Sequence, residues 1–153
     1  MFDDISGFGM QNYWRGDFLE ELTDEAIEAH ARYGANVPSY FSGVHLYPVD
    51  GVAGRVGEDE TPWGYRNARW SEVIFAIDPD PGSLEDLRAW VVDSWEMLHG
   101  FSAGGSYVNF LGDEGQERVQ ASYRDNYARL AEIKKRYDPD NLFRINQNIQ
   151  PAP

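Results

Sequence analysis

Hydrophobic and polar residues alternate along four short stretches of the chain, which predicts four strands. Aromatic residues between Phe8 and Arg15 predict the first strand. Apolar residues at every second position predict a second strand over Ser39 to Tyr47 and a buried third strand over Arg69 to Ile77. A shorter stretch, Ser106 to Leu111, predicts the fourth strand.

Between these stretches the spacing of apolar residues becomes helical. Thr23 is a good N-cap, and the helix that it begins is predicted to end near Tyr33, before Gly34. Ser83 begins a second predicted helix that stops at Gly100, and a third is predicted from about Glu114 to Tyr137. A long connection rich in Gly, Pro and acidic residues, Pro48 to Arg66, is predicted to be irregular.

The order of these elements predicts the fold class. Two β-α-β units in series, followed by a helix, indicate an α+β fold of the ferredoxin-like split βαβ type. We expect an antiparallel four-stranded sheet with helices on one face, an extra C-terminal helix and an extended tail. The length of 153 residues predicts a single domain over residues 1–153.

Charge and composition exclude several classes of function. The chain carries 26 acidic and 13 basic residues, a formal net charge of −13, which disfavours binding to nucleic acid or to an anionic membrane surface. There are no cysteines, so disulfides and thiolate catalysis are excluded. The acidic start, Met1 to Asp4, does not resemble a signal peptide, and no apolar run is long enough to span a membrane. We therefore expect a cytoplasmic protein. The spacing of the three histidines indicates no metal site.

The predicted fourth strand places a phenol and an amide together. Tyr107 and Asn109 are two residues apart, so on a strand both would project from one face, with Ser106, Val108 and Phe110 on the other. Beside Gly104, this pair predicts a polar site close to the backbone. The alternative is a buried tyrosine whose hydroxyl is satisfied by the asparagine.

Two motifs give the chain a family resemblance. The sequences Gly-Gly-Ser-Tyr-Val-Asn-Phe (residues 104–110) and Tyr-Asp-Pro-Asp-Asn-Leu-Phe-Arg-Ile-Asn-Gln-Asn-Ile-Gln-Pro (residues 137–151) resemble the C-terminal signature of berberine bridge enzyme-like FAD-linked oxidases. The resemblance implies half of a substrate domain over residues 1–103 and the family's C-terminal segment over residues 104–153. It also implies FAD as the cofactor, with Tyr107 as the catalytic base and Asn109 beside the flavin.

The resemblance also implies roles for other residues. An ordinary phenol ionises only near pH 10, so Tyr107 would need a neighbouring group to ionise more easily. Tyr47 is the candidate for this second catalytic residue, because its segment, residues 43–48, resembles the strand from which the family supplies one. His45 lies on the same predicted strand face, although a single strand histidine is more often structural. The remaining candidates are Tyr65 and Arg66 for the substrate, and Asn146, Gln147 and Asn148 for the flavin. The alternatives are a packed loop for Arg66 and a simply docked tail for the three amides.

Two functional hypotheses follow. In the first, the chain is the substrate-binding, C-terminal part of an FAD-dependent oxidoreductase that oxidises a hydroxyl group on a small molecule. It is then either a fragment or one subunit, and we expect it to lack the domain that binds the FAD pyrophosphate, to bind flavin weakly or not at all alone, and to need a flavin-binding domain or a partner chain for activity. In the second, it is a non-catalytic binding module that forms a homodimer through the flavin-facing surface.

Overall fold

A computed structural model describes residues 7–153. Within this range the strands are β1 Gln11–Leu19, β2 Gly43–Pro48 and β3 Trp70–Asp78. The α-helices in the same range are α1 Asp24–Gly34, α2 Leu84–Leu98, α3 Gln116–Tyr123 and α4 Asn126–Tyr137. Short 3₁₀ turns cover Ala53–Arg55, His99–Phe101 and Val108–Phe110. The acidic start, Met1 to Asp4, lies outside the described residues.

The strands form one antiparallel sheet in the order β1-β3-β2. β3 is the central strand, and its alternate residues point to opposite faces. Ile74 and Ala76 are fully buried on one face, where they pack against α2 through Leu87, Val91 and Leu98. The helices therefore cover this face of the sheet and form the main core with it. The prediction of a mixed fold with an antiparallel sheet is confirmed.

The predicted fourth strand is wrong for the described residues. Only two backbone hydrogen bonds join this part of the chain to the free edge of β1: Ala103 N donates to Phe18 O at 2.7 Å, and Phe18 N donates to Gly105 O at 2.7 Å. Gly104 between them has a φ of 103°, which turns the chain away from an extended path. Residues 108–110 then form a 3₁₀ turn, so the sheet has three strands where four were expected.

The long C-terminal helix is also interrupted. Arg124 has a φ of 51° and separates α3 from α4. Its guanidinium lies 5.0 Å from the centre of the Tyr65 ring, and its Nη1 donates to the Gly64 carbonyl at 3.4 Å. At the start of α4, the Asn126 amide donates to the carbonyl of Glu58 at 2.7 Å. Contacts with the long connection between β2 and β3 thus coincide with the break, which helical spacing alone does not reveal.

The first two predicted helices are confirmed. The Thr23 hydroxyl accepts a hydrogen bond from Ala26 N at 3.2 Å and so caps α1. α2 begins directly after Ser83, although the Ser83 hydroxyl donates to the carbonyl of Asp80 instead of capping the helix. No helix in residues 7–153 is long and apolar enough to cross a membrane.

Two carboxylates are buried side by side on the helix-covered face. Asp17 of β1 and Glu72 of β3 are register partners, and each is 1% exposed. Arg118 and His99 contact Asp17, at 3.0 and 2.8 Å. His30 of α1 contacts Glu72, with its Nε2 2.8 Å from Oε1 and its Nδ1 2.6 Å from the Ala26 carbonyl. Because both neighbours of His30 accept hydrogen bonds, a doubly protonated imidazole satisfies them both.

The contact between His30 and Glu72 makes the free energy of unfolding depend on pH. Burial lowers the pKa of His30, but the hydrogen bonds to Glu72 and to the Ala26 carbonyl outweigh burial and raise its pKa above 6.5. Burial raises the pKa of Glu72 above 4.5, against the opposing effect of His30. Both shifts mean that the folded state holds protons more tightly than the unfolded state, so the pair contributes more stability as the pH falls.

We predict that the stability advantage of the wild type over the double variant His30→Gln, Glu72→Gln grows as the pH is lowered from about 8 to about 5. This pH range runs from the pKa of Glu72 in the unfolded state, 4.5, to above the pKa of His30 in the unfolded state, 6.5. Urea unfolding at several pH values measures the difference in unfolding free energy. A difference that is constant with pH, or that grows with rising pH, contradicts the assignment.

Candidate active site

The face of the sheet opposite the helices is an open groove lined by aromatic rings. Its strand residues are Trp14 of β1, His45 and Tyr47 of β2, and Val73, Phe75 and Ile77 of β3. The register sets Trp14 opposite Phe75, and Val73 opposite His45. The groove encloses about 720 Å³. Alternation on three paired strands therefore gathers these side chains on one surface.

The segment that carries Tyr107 crosses this surface at Gly16. A Cβ atom on Gly16 would lie 2.5 Å from the Ser106 Oγ and 2.9 Å from the Phe110 Cβ, closer than real Cβ atoms approach. The absence of a side chain at Gly16 therefore lets residues 106–110 lie directly on the sheet.

Tyr107 and Asn109 do meet, although their segment is not a strand. The Asn109 amide Nδ2 donates to the Tyr107 hydroxyl oxygen at 2.6 Å, and Tyr107 is 38% exposed. An N–H aimed at a phenol oxygen stabilises negative charge on that oxygen. The prediction that Phe110 points away from this pair is wrong: the 3₁₀ turn brings the Phe110 ring to 5.2 Å from the Tyr107 ring, edge to face.

Tyr47 and His45 belong to the same cluster. The ring of Tyr47 lies 5.7 Å from that of Phe110, so Phe110 contacts both candidate tyrosines. The Tyr47 hydroxyl lies 3.1 Å from His45 Nδ1. A second cavity of about 390 Å³ is lined by Tyr47 and Tyr107 together with Phe18 and Trp63. Four of the predicted site residues, Tyr107, Asn109, Tyr47 and His45, are therefore neighbours on one face.

Tyr65 and Arg66 lie elsewhere. Tyr65 is 5% exposed, stacks on Phe18 at 4.7 Å and donates its hydroxyl to the Ala121 carbonyl at 3.0 Å. Burial raises the pKa of Tyr65 despite the nearby Arg124. Arg66 donates to the Ala53 carbonyl at 2.8 Å and lies 4.4 Å from the Trp63 ring centre. Tyr65 packs the long connection against the sheet, whereas Arg66 contacts other residues of the connection and supports the wall of the smaller cavity through Trp63.

The amides of the tail form a separate site. Asn146 and Gln147 line a pocket of about 490 Å³ beside α3. Gln147 donates to the Leu111 carbonyl at 2.8 Å, and the Asn148 carbonyl accepts from Gln116 at 3.1 Å. Asn148 Oδ1 is buried and has no hydrogen-bond partner among the described residues. The candidate flavin contacts are therefore divided, with Asn109 in the groove and the tail amides apart from it.

The sequence interpretation missed Trp14, Phe75, Phe110 and Gly16. Trp14 and Phe75 could have been found from the sequence, because each stands an even number of residues from other groove-facing positions of its own strand. Gly16 carried no local signal, because its role depends on a segment about ninety residues later in the chain. Within residues 7–153, no group of three or more His, Asp or Glu side chains is arranged to hold a metal ion.

Comparison with known proteins shows which family this chain resembles. The family described as "Berberine and berberine like" matches residues 106–150, the segment that carries Tyr107 and the tail. The uncharacterised FAD-linked oxidoreductase YgaK of Bacillus subtilis is 30% identical over 137 residues, which are 89% of this chain and 30% of the relative. The chain matches the berberine bridge enzyme-like FAD-linked oxidoreductases. The predicted resemblance is confirmed.

Other members show the same relation. The monolignol oxidoreductase AtBBE-like 13 of Arabidopsis thaliana is 24% identical over 116 residues, which are 67% of this chain and 22% of the relative. In fold, the chain is similar to BBE-like 28 of A. thaliana, with a TM-score of 0.81 and 21% identity over 95% of this chain and 34% of that one. Aclacinomycin oxidoreductase gives a TM-score of 0.79 at 20% identity, covering 92% of this chain and 32% of that one.

These matches cover only part of each relative. The chain spans about a third of the length of the curated berberine bridge enzyme-like relatives that it matches first.

We predict that Gly16→Ala displaces the segment that carries Tyr107. Because the added methyl group would overlap Ser106 and Phe110, we expect a loss of about 1–3 kcal/mol of unfolding free energy. The amide NMR signals of residues 106–110 should shift with it. Gly34→Ala is the matched control, since a methyl group there meets no atom within 4 Å, and it should stabilise the protein by about 0.4–1 kcal/mol. Equal effects of the two substitutions would contradict the close approach at Gly16.

Proposed function

We propose that this chain forms the substrate-facing wall of the active site in an FAD-dependent oxidoreductase that oxidises a hydroxyl group on a small molecule. The observation that carries the proposal is the hydrogen bond from Asn109 to the Tyr107 hydroxyl, on the same open face as the Tyr47–His45 pair. The names of the relatives, FAD-linked oxidoreductases, support the redox part of the proposal.

Tyr107 is the proposed general base. In its phenolate form it would take the proton of the substrate hydroxyl on its Oη, and the amide N–H of Asn109 would hold that oxygen in place and stabilise its charge before the transfer. Tyr47, whose hydroxyl is linked to His45 Nδ1, lines the same cavity and would hold the substrate oxygen from the other side. The flavin, when bound, supplies the acceptor for the hydride from the substrate carbon.

The residues on the open face fit one part of a flavin better than another. A groove lined by rings and by the Asn109 amide suits the flat, uncharged ring system or a substrate that lies against it. No lysine or arginine is among the residues that line the groove, so the face offers nothing to hold a pyrophosphate. We therefore propose that protein outside residues 7–153 binds the phosphates of FAD, and that this chain faces the flavin ring system.

An exposed apolar patch in the tail supports contact with such a partner. Leu142, Phe143 and Ile145 are 74%, 76% and 87% exposed. Large exposed apolar side chains that lie close together mark interaction surfaces. We propose that the patch docks against protein that carries the flavin, as a further part of the same polypeptide or as a separate chain. A homodimer that buries the flavin-facing surface is the alternative.

A flavin titration tests the proposal. The chain is mixed with FAD alone and with a flavin domain from a relative, and flavin fluorescence and the visible spectrum are followed. We expect saturable binding only when the flavin domain is present. Binding by the chain alone would overturn the division of the cofactor described above. No interaction with any flavin domain, together with a concentration-dependent dimer in sedimentation experiments, would favour the homodimer.

We predict that, in the flavin-reconstituted protein, Tyr107→Phe lowers the turnover number by about 10²-fold or more, because it removes the general base without changing the ring. Tyr137→Phe is the matched control, since Tyr137 is 74% exposed at the end of α4, and it should keep the wild-type rate. Single-turnover flavin reduction measures both. If Tyr107→Phe reduced the flavin as fast as the control, another group would have to be the base.

A further inference from the structure

The two cavities on the open face differ from the rest of the protein surface in charge. A quarter of all residues in the chain are charged, and the net charge is −13. None of the residues that line the 720 Å³ groove or the 390 Å³ cavity is Asp, Glu, Lys or Arg. The polar groups that line them are hydroxyl, imidazole and amide groups, which bind neutral partners. An anion in the groove would meet no countercharge, and the net negative field of the protein would oppose it.

The aromatic rings of the groove and of the smaller cavity together form a continuous row. His45 lies 4.5 Å from Phe75, and Tyr47 lies 5.8 Å from His45. Phe110 follows at 5.7 Å from Tyr47, and Tyr107 at 5.2 Å from Phe110. Trp14, opposite Phe75 in the register, extends this surface and is 37% exposed. Such a row offers ring faces and edges over a span longer than one side chain, which suits a flat aromatic molecule.

The reacting end and the ring-binding end of this surface are separate. Of these two cavities, Tyr107 lines the smaller one and not the larger, whereas Trp14, His45 and Phe75 line the larger one and not the smaller. Tyr47 and Phe110 line both, so they join the two. A molecule that placed a hydroxyl beside Tyr107 would extend past Tyr47 and Phe110 into the larger groove.

We infer that the substrate is a neutral alcohol with a flat aromatic part: the alcohol lies in the smaller cavity beside Tyr107 and Tyr47, and the aromatic part lies in the larger groove against Trp14 and Phe75. This inference rests on the proposed function, because it takes the open face to be the substrate side of the site. It selects against two other classes of alcohol: sugars, which would find few hydrogen-bonding groups in the larger groove, and anionic hydroxy acids, which would find no cation.

The test is a binding experiment with the 153-residue chain, followed by NMR. The signals of the Asn109 side-chain amide and the His45 ring report binding of 2-naphthylmethanol, of the matched anion 2-naphthoate, and of glucose. We expect saturable shifts with 2-naphthylmethanol, at least about tenfold weaker binding of 2-naphthoate, and no shifts with glucose at the same concentrations. Equal binding of the alcohol and the anion, or preferential binding of glucose, overturns the inference.

Two further measurements separate a substrate site from a flavin surface and from non-specific contact. Trp14→Leu should weaken binding of 2-naphthylmethanol several-fold, whereas Phe143→Leu, which removes a more exposed ring in the tail, should not. Lumiflavin, a flat neutral ring system without phosphates, should not displace the alcohol; displacement at comparable affinity would assign the groove to the flavin ring and overturn the inference. Binding does not require proton transfer, so these results do not depend on whether Tyr107 is the base.

Discussion

The guanidinium of Arg118 holds together the parts of the chain that build the site. Its Nη2 donates to Asp17 Oδ1 at 3.0 Å and to the Gly16 carbonyl at 2.9 Å, and its Nη1 donates to the Gly104 carbonyl at 3.3 Å. One side chain of α3 thus joins the edge strand β1 to the turn that leads into residues 106–110. Asp17 is 1% exposed, and a buried carboxylate without its cation would destabilise the fold by about 3–5 kcal/mol. The position of Tyr107 therefore depends on an ion pair on the opposite face of the sheet.

Alternate residues of the sheet face two different environments, the helix-covered core and the open groove. On the helix-covered face, Ile74 and Ala76 meet the apolar stripe of α2 and form the core. On the open face, the alternate residues Val73 and Phe75 line the groove. A shift of one residue in the register of β3 would exchange the two sets, so the core fixes the site. The same register fixes Gly16 on the open face of β1, where Ser106 lies directly against it.

Local sequence signals were sufficient for much of the fold and for part of the site. Alternation located the three observed strands to within a few residues, and Thr23 marked the start of α1. The spacing of apolar residues predicted one continuous helix through Arg124, which was wrong. The break there coincides with contacts from Arg124 to Tyr65 and Gly64, which are distant in sequence and leave no local signal. The strand pattern failed at residues 106–111 because Gly104 turns the backbone and β1 offers only two hydrogen bonds there. Tyr107, directly before the 3₁₀ turn, and Asn109, within it, still meet through the hydrogen bond from the Asn109 amide to the Tyr107 hydroxyl.

The strength of the Asn109 hydrogen bond depends on what covers the groove. Tyr107 is 38% exposed in this chain, so water competes for its hydroxyl and screens any charge on it. In water an N–H···O contact contributes little, because the same oxygen is solvated equally well without it. When a cofactor and substrate exclude water from the groove, the same 2.6 Å contact acts in a medium of lower dielectric constant and stabilises negative charge much more strongly. In the proposed function, the chain therefore supplies the position of Tyr107, whereas the low-dielectric environment that would make it an effective base comes from whatever closes the open face.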